Sequence, residues 1–292
     1  IVAMPSPKRK KRLTPPPKPG LIVFTDLDGT LLDFHSYSFK PAQAALRELK
    51  RLSVPLVLVS SKTRAEMAAL SKAIGLDSPL IVENGSAIFW PKEIAPTRPA
   101  GSKAVDSYWV KELGTPYQTI RKHLVAFRES NGVNCEGFGD WSVETISRLS
   151  GIPLNNAPLA KKREYDEPFL FKPMPAEEKI DAAIKKLSTG GFSVARGGRF
   201  FHLLGPSDKG RAVRELISWY TKIMPAKPRT IAFGDSPNDW PMLAACDIGV
   251  AVKCPDGKYH SALREHKGIR LAGAPGPEGF NRMVLRLLRQ LM

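Results

Sequence analysis

The 292-residue chain is 42% hydrophobic and 25% charged, a composition typical of a globular protein and sufficient for one large domain or two modest ones. It contains no uninterrupted run of about 18 apolar residues, and its N-terminus lacks an apolar segment, so we expect neither a membrane helix nor a secretory signal. The formal net charge of +16 favours an anionic ligand. No nucleic-acid-binding motif accompanies that charge, so small anions are preferred over nucleic acid as partners.

The number and spacing of the cysteines indicate the cellular compartment in which the protein is expected. Cys135, Cys246 and Cys254 are odd in number, far apart and without the spacing of a zinc site. Three reduced thiols are typical of a cytoplasmic protein, and we expect that location.

Residues 1–20 differ from the rest of the chain. They contain six prolines and no acidic residue, and their six basic residues are Lys8, Arg9, Lys10, Lys11, Arg12 and Lys18. Proline prevents helix, and few residues there can join a core, so the segment is predicted to be a disordered basic tail. The cluster at 8–12 is similar to a nuclear-localisation patch, but a solvated tail, or a start codon called too far upstream, is the preferred interpretation.

From Leu21 the pattern predicts strands that alternate with helices. The predicted elements of this first part are a strand at 21–25, a helix opening at Pro41, a strand at 55–60, a helix from Thr63 to Gly75 and a strand at 80–83. Thr63 and Glu66 have the spacing of a capping box, and Asn84-Gly85 is typical of a hairpin turn. Residues 86–200 mix helical stretches with short strand-like runs, which indicates an inserted α+β domain.

The alternating order returns in the last third of the chain. There the pattern predicts a helix at 208–220, a strand at 230–233, a helix after Asn238, a strand at 248–252 and a helix at 278–291. Strands joined by helical crossovers imply a doubly wound, Rossmann-like parallel sheet. The predicted architecture is therefore an α/β core over 21–85 and 201–292, interrupted by an α+β cap over 86–200.

Two acidic motifs follow predicted strands directly. Asp26-Leu27-Asp28-Gly29-Thr30 follows the first strand, and Gly234-Asp235-Ser236-Pro237-Asn238-Asp239 follows the strand at 230–233. Ligands of open parallel sheets bind at the carboxyl ends of the strands, where both motifs belong. Two carboxylates two residues apart can divide nucleophilic attack and proton transfer, and a hard cation takes carboxylate ligands. Taken singly, each motif also reads as an acidic turn or helix cap.

Two weaker sequence signals, both suited to binding phosphate, accompany the two acidic motifs. Ser60-Ser61 ends the second strand before a helix, where hydroxyl and backbone N–H groups form a phosphate site. Lys209 opens a later helix, from which it can neutralise a nucleophile and phosphoryl oxygens.

These signals, in this order, resemble the four motifs of the haloacid dehalogenase superfamily, and the insertion resembles the cap position of its Cof-like branch. Within that branch the chain is similar to mannosyl-3-phosphoglycerate phosphatases. The likeness rests on Val59-Ser60-Ser61-Lys62-Thr63, Ile81-Val82-Glu83-Asn84-Gly85, Gly137-Phe138-Gly139-Asp140, Arg163-Glu164-Tyr165 with Glu167-Pro168-Phe169, and Arg196-Gly197-Gly198-Arg199-Phe200. Asp166 departs from the small polar residue expected there, and the basic tail is not part of the family pattern.

The resemblance implies a phosphatase that depends on Mg²⁺, with another divalent cation such as manganese or cobalt as the alternative. Asp26 is the expected nucleophile and a metal ligand, and Asp28 the general acid and base, with its backbone carbonyl on the metal. Asp235 completes the direct ligation, while Asp239 acts through water or orients Lys209. Ser60 and Lys209 are expected to hold the phosphoryl group.

The implied substrate is mannosyl-3-phosphoglycerate, a small phosphorylated sugar acid. Candidate substrate-binding residues are Ser61, Lys62, Asn84, Arg163, Glu164, Arg196, Arg199 and His202. The arginines are candidates for the glycerate carboxylate, since guanidinium matches carboxylate geometry. Alternatives that remain open are glucosyl-3-phosphoglycerate, sucrose phosphate or another sugar phosphate as substrate, a phosphosugar mutase, and an anion- or nucleic-acid-binding protein that uses the basic tail.

Overall fold

The computed structural model describes residues 20–292, so the predicted tail lies outside the described residues except for Gly20. The strands of this part of the chain are β1 (Leu21–Thr25), β2 (Leu56–Val59), β3 (Leu80–Val82), β4 (Ala87–Pro91), β5 (Lys103–Val105), β6 (Tyr108–Glu112), β7 (Cys135–Gly137), β8 (Asp166–Phe171), β9 (Ser193–Arg196), β10 (Phe201–Leu204), β11 (Arg229–Gly234), β12 (Ile248–Lys253) and β13 (Arg270–Pro275).

The α-helices of the same residues are α1 (Gln43–Arg51), α2 (Arg64–Ile74), α3 (Tyr117–Asn131), α4 (Val143–Ser150), α5 (Ala157–Ala160), α6 (Glu177–Leu187), α7 (Lys209–Ile223), α8 (Trp240–Ala245), α9 (Ser261–Arg264) and α10 (Gly276–Leu291). Short 3₁₀ helices cover Lys40–Ala42, Glu83–Gly85 and Pro237–Asp239. Within residues 20–292, none of these helices has both the length and the apolar character needed to cross a bilayer.

A nine-stranded sheet forms the core, in the order β13-β12-β11-β1-β2-β3-β4-β6-β5. The six strands from β13 to β3 are parallel, and β4, β6 and β5 continue the sheet in antiparallel pairs. The chain winds outward from β1 in one direction and from β11 in the other, which makes the β1–β11 boundary the topological switch point of the sheet. The doubly wound α/β fold predicted from the sequence is confirmed.

Alternating side chains place an apolar layer on each face of this sheet. Leu21 and Val23 of β1 pack in one cluster with α1, α2 and α10, while Ile22 and Phe24 pack in the other with α7 and α8. Burial on both faces explains why β1 and β2 are continuous apolar runs. The core is therefore a three-layer α/β/α sandwich.

A second, four-stranded antiparallel sheet has the order β7-β8-β10-β9. Helices α3 and α6 cover one of its faces through Ile120, Leu124, Ile180 and Leu187. The chain leaves the large sheet after β6 and returns to the core at α7. We therefore propose residues 113–208 as the cap.

The sheets divide the chain at positions other than the predicted boundaries of 86 and 200. Strands β4 to β6 fall in the predicted insertion but extend the large sheet, and β10 falls in the predicted core but belongs to the small sheet. Both differences have one cause. Short apolar runs do not encode the sheet with which they pair, because pairing partners are set by long-range contacts.

The capping box predicted at the start of the second helix is present. Thr63 Oγ1 accepts from the backbone N–H of Glu66, and Glu66 Oε2 accepts from the backbone N–H of Thr63 at 3.0 Å. Gly75, in the left-handed conformation with φ 76°, ends α2.

Candidate active site

The two acidic motifs meet at the switch point of the sheet. Asp26 follows β1 and Asp235 follows its parallel neighbour β11, and the Asp26 N–H donates to the carbonyl of Phe233 at 2.9 Å. One carboxylate oxygen each from Asp26, Asp235 and Asp239 lies within 4.8 Å of the others, and all three residues are buried. A long stretch of sequence separates them, and the parallel register brings them together.

Lys209 lies between two of these carboxylates. Its Nζ donates to Asp26 Oδ1 and to Asp239 Oδ1, both at 2.6 Å, and its side chain is 2% exposed. Asp239 Oδ2 accepts the backbone N–H groups of Asp235 and Ser236, each at 3.0 Å. Asp239 thus shapes the loop that carries Asp235 and also orients Lys209.

The charges of this cluster do not balance. Three ionised carboxylates and one ammonium leave two negative charges without compensation. Burial and the charge of Asp239 raise the pKa of Asp26 from 3.8 to about 7, against the opposing effect of Lys209. Burial, with the charges of Asp239 and Asp26, also raises the pKa of Asp235 well above its ordinary value. A divalent cation would supply the missing positive charge.

The backbone at Gly29 lies directly against the Asp235 carboxylate. Gly29 has φ +83°, and a Cβ at this position would lie 2.6 Å from Asp235 Oδ2. Thr30 Oγ1 donates to Asp235 Oδ1 at 3.2 Å, which leaves Oδ2 free of side-chain donors among the described residues. Hard cations prefer such carboxylate oxygens, so Asp26, Asp235 and Asp239 form a cluster able to hold a metal.

Asp28 is held by a second lysine. Lys62 Nζ donates to Asp28 Oδ2 at 2.8 Å, while Asp28 Oδ1 is buried without a hydrogen-bond partner among the described residues. Burial lowers the pKa of Lys62, whereas the negative charges of Asp28 and Glu66 raise it. The charges outweigh burial, so the net shift of the Lys62 pKa is upward. Lys62 therefore stays cationic throughout the physiological range.

Ser60 lies at the end of β2, adjacent to β1, and is 2% exposed. The backbone N–H of Lys62 donates to Ser60 Oγ at 3.3 Å, so the segment leading into α2 curls around this hydroxyl. A buried hydroxyl just before a helix N-terminus is a suitable contact for a phosphoryl oxygen.

A cleft opens above these residues, between the core and the cap. Its floor includes Asp26, Asp28, Ser60 and Asp235. Its walls carry cationic, aromatic and hydroxyl-bearing side chains that include Ser61, Lys62, Arg163, Arg199, His202, Phe34, Tyr37, Phe138 and Phe200. The site is thus suited to a ligand that is anionic at more than one point and has both polar and apolar surface.

A chain of polar contacts connects the acidic loop to the cap. Asn238 Nδ2 donates to Asn84 Oδ1, and Asn84 Nδ2 donates to Asp166 Oδ2, each at 3.0 Å. Asp166 Oδ2 lies 2.8 Å from Nδ1 of His202, which lines the cleft. Asn84 reaches these partners from a left-handed backbone conformation with φ 57°. It therefore supports the cleft wall from behind rather than forming part of its lining.

Besides Asn84, two of the predicted substrate-binding side chains lie outside the cleft lining. Arg196 is 54% exposed and forms an ion pair with Glu177, because β9 turns its side chain toward α6. Glu164 pairs with Arg64 at 3.2 Å, and its backbone N–H donates to Glu83. Neither placement supports the substrate contact expected of these residues.

Several cleft residues were not singled out from the sequence. Phe34 and Tyr37 come from the loop after the first acidic motif, and Tyr37 Oη donates to the carbonyl of Ser150 in the cap at 2.8 Å. Asp166, noted only as a departure from the family pattern, is the buried partner of His202. For Phe34 and Tyr37, the available signal was a pair of aromatic residues three positions apart in a polar loop.

The chain belongs to the haloacid dehalogenase-like hydrolases, whose family profile matches residues 23–256. A solved structure from Thermoplasma acidophilum superimposes with a TM-score of 0.65 at 19% identity, covering 94% of this chain and 99% of that one, and so shares the fold.

Closer in sequence is the glucosyl-3-phosphoglycerate/mannosyl-3-phosphoglycerate phosphatase of Methanococcoides burtonii, which is 40% identical over 267 residues, or 91% of this chain and 97% of that protein. The mannosyl-3-phosphoglycerate phosphatase of Pyrococcus horikoshii is 36% identical over 226 residues, or 77% and 88% of the two chains.

Proposed function

We propose that this chain is a Mg²⁺-dependent phosphatase that hydrolyses mannosyl-3-phosphoglycerate to mannosylglycerate and inorganic phosphate through an aspartyl-phosphate on Asp26. The observation that carries the proposal is the position of Asp26. Its buried carboxylate lies in an acidic cluster, 2.6 Å from Lys209, at the floor of a cleft with cationic walls.

The proposed metal ligands are the carboxylates of Asp26 and Asp235 with the backbone carbonyl of Asp28, and Asp239 acts on Lys209 or through water. Mg²⁺ is the proposed ion because it favours carboxylate oxygens and accompanies phosphoryl transfer. When bound, it would neutralise charge on the phosphoryl oxygens.

In the first proposed step, a carboxylate oxygen of Asp26 attacks phosphorus and the bond between phosphorus and the ester oxygen breaks. Asp28 donates a proton to the departing alkoxide. Lys209 and the Ser60 hydroxyl hold the transferring phosphoryl group. The fixed Asp26–Lys209 contact pre-orients the nucleophile, and such positioning supplies much of the rate in this chemistry.

In the second step, Asp28 accepts a proton from water, whose oxygen attacks the phosphorus of the aspartyl-phosphate. The bond between phosphorus and Asp26 breaks, releasing inorganic phosphate and regenerating the carboxylate. The buried, unpartnered Oδ1 of Asp28 supports its use as the proton carrier, because this oxygen has no competing donor among the described residues.

The substrate proposal is supported by the cleft and by the relatives. Phe34, Phe138 and Phe200 supply apolar surface of the kind that packs on sugar rings, while Lys62 supplies a cation for an acid group. Two curated relatives are named for mannosyl-3-phosphoglycerate. One of these names also includes the glucosyl epimer, which makes glucosyl-3-phosphoglycerate the second candidate substrate. Three cysteines without disulfides support a cytoplasmic location for this reaction.

Phosphate release from a substrate panel tests the proposal. The full chain is assayed with mannosyl-3-phosphoglycerate, glucosyl-3-phosphoglycerate, sucrose 6-phosphate and glucose 6-phosphate, with Mg²⁺ and with excess chelator. We expect the highest kcat/KM on the mannosyl compound, and loss of phosphate release with chelator. Release of phosphate from sucrose or glucose phosphate alone, or an isomerised phosphosugar in place of phosphate, would overturn it.

A further inference from the structure

The three cations of the cleft wall differ in how they are already bonded. Arg163 donates through Nη1 to the carbonyl of Ser61 at 2.6 Å and through Nε to that of Ala160 at 2.9 Å. Arg199 donates through Nη2 to the carbonyl of Phe34 at 2.9 Å. The bonds to Ser61 and Phe34 join the cap to the core through backbone carbonyls. Both arginines are therefore fixed as structural links, and a ligand can use only their remaining N–H groups.

Lys62 is bonded differently. Among the described residues, its ammonium donates one hydrogen bond, to Asp28 Oδ2, and it lies 3.9 Å from Glu66 Oε1 and 5.0 Å above the Tyr37 ring. Its partner is thus a side-chain carboxylate within the cleft rather than a backbone carbonyl. A carboxylate can compete with another carboxylate for an ammonium without breaking the fold.

The chemistry of the proposed substrate places its second anion close to this lysine. In a glycosyl-3-phosphoglycerate, carbon 3 carries the phosphate ester, carbon 2 the sugar and carbon 1 the carboxylate. Only two carbon–carbon bonds therefore separate the carboxylate from the carbon that bears the leaving oxygen. Asp28, which serves that oxygen in the proposed mechanism, already contacts Lys62 at 2.8 Å.

We propose that Lys62 is the carboxylate subsite of the cleft, and that it exchanges Asp28 for the substrate carboxylate when the substrate binds. This inference rests on the proposed function and deepens it. The exchange keeps the lysine paired and frees Asp28 to turn toward the leaving oxygen. A leaving group without the carboxylate leaves Lys62 on Asp28, where the lysine competes with the ester oxygen. Lys62 thereby links recognition of the acid group to catalysis.

A pair of substrates that differ only at carbon 1 tests the exchange. The kcat/KM for mannosyl-3-phosphoglycerate is divided by that for 2-O-mannosylglycerol 3-phosphate, which carries a hydroxymethyl group in place of the carboxylate. In Lys62→Met we expect this preference ratio to fall on the order of 30-fold, because removing one partner of a desolvated charge pair is costly. Lys62→Arg keeps the cation and should retain most of the preference, which provides a second variant if Lys62→Met does not fold.

Two further variants serve as controls. Lys111 forms an ion pair of the same length, 2.8 Å, with Glu215 outside the cleft lining, so Lys111→Met should leave the ratio at the wild-type value. Arg199→Met removes a link between core and cap, so it should lower kcat/KM for both substrates by similar factors.

The outcomes are separable. If Lys62→Met lowers both kcat/KM values by the same factor, Lys62 only positions Asp28 and the inference is overturned. A wild-type ratio near one overturns it as well, while the proposed function survives. If the wild type releases phosphate from neither compound but does so from another sugar phosphate, the proposed function is overturned. The inference about Lys62 is then overturned as well, because it rests on that function.

Discussion

At the scale of single residues, the site depends on one buried lysine shared by two carboxylates. Lys209 contacts Asp26 and Asp239 at equal distances of 2.6 Å, and burial raises the pKa of Asp26 to about 7 despite this neighbour. The proposed nucleophile, Asp26, is thus oriented by a strong, charge-assisted bond but retains a destabilising charge that a cation can relieve.

Asp26→Asn should abolish turnover while preserving the fold. An amide oxygen still accepts the Lys209 bond but does not form the aspartyl-phosphate, so we expect kcat to fall by about 10⁴-fold or more. The melting temperature without metal should be unchanged or higher, because a carboxylate that was costly to bury has been removed. Phosphate release and thermal melting measure the two effects.

Asp247→Asn is the matched control for that variant. Asp247 Oδ2 accepts the Thr230 N–H and hydroxyl at 2.8 Å, at the opposite end of β11 from the site. It should retain wild-type kcat. Retention of more than a tenth of wild-type turnover by Asp26→Asn would show that another group is the nucleophile.

At the scale of elements, the turn Glu83–Gly85 after β3 supports both parts of the site. The Glu83 carboxylate accepts the backbone N–H groups of Glu164 and Tyr165, where the chain approaches β8 of the cap. Burial raises the pKa of Glu83 to about 8, against the opposing charge of Arg163. Gly85 packs against the backbone just before α7, the helix that begins with Lys209. One turn therefore sets the position of a cap segment and of Lys209.

Gly85→Ala should be strongly destabilising and should impair catalysis. Gly85 has φ +89°, and an added Cβ would lie 2.2 Å from the carbonyl oxygen of Asp208, so the start of α7 must move. We expect a loss of about 3 kcal/mol or more in the free energy of unfolding, with a reduced kcat in protein that is still folded. Urea titration and steady-state assays measure both.

Gly132→Ala is the control that distinguishes the cost of a steric clash from the cost of placing alanine at positive φ. Gly132 also has positive φ, +61°, but a Cβ there would meet nothing within 4 Å. Its expected cost is only about 1 kcal/mol, with kcat unchanged. Equal costs for the two alanines would mean that the contact with α7 contributes nothing.

At the scale of the whole molecule, the unbalanced charge of the acidic cluster couples metal binding, pH and stability. Without a cation, folded protein holds a proton on Asp26 between pH 3.8 and about 7 that the unfolded chain has lost. The folded state binds more protons in this window, so stability falls as pH rises through it. A bound cation replaces the proton and removes the penalty.

The increase in melting temperature on adding Mg²⁺ should therefore be larger at pH 8 than at pH 5.5. Thermal melts with Mg²⁺ and with chelator, at four pH values from 5.5 to 8.5, measure this dependence. Asp26→Asn should show a smaller pH dependence because its amide does not titrate. A Mg²⁺ effect that is constant across this range would contradict the coupling between the ion and the Asp26 proton.

Local patterns were sufficient for much of the core and for the floor of the site. Apolar runs in β1, β2 and β11 predicted buried parallel strands, and the residues that follow these strands meet because parallel strands end at one edge of a sheet. The Thr63–Glu66 capping box was equally readable, since it involves residues three apart.

Tertiary structure decided the features that depend on distant partners. Which sheet β4 and β10 join, the Lys62–Asp28 pair and the Asp166–His202 contact all join segments far apart in sequence. Arg196 and Arg199 flank the same two glycines, yet Arg199 lines the cleft and Arg196 pairs with Glu177. Local sequence does not encode the direction in which such a turn presents its side chains, because that direction is set by packing against the rest of the molecule.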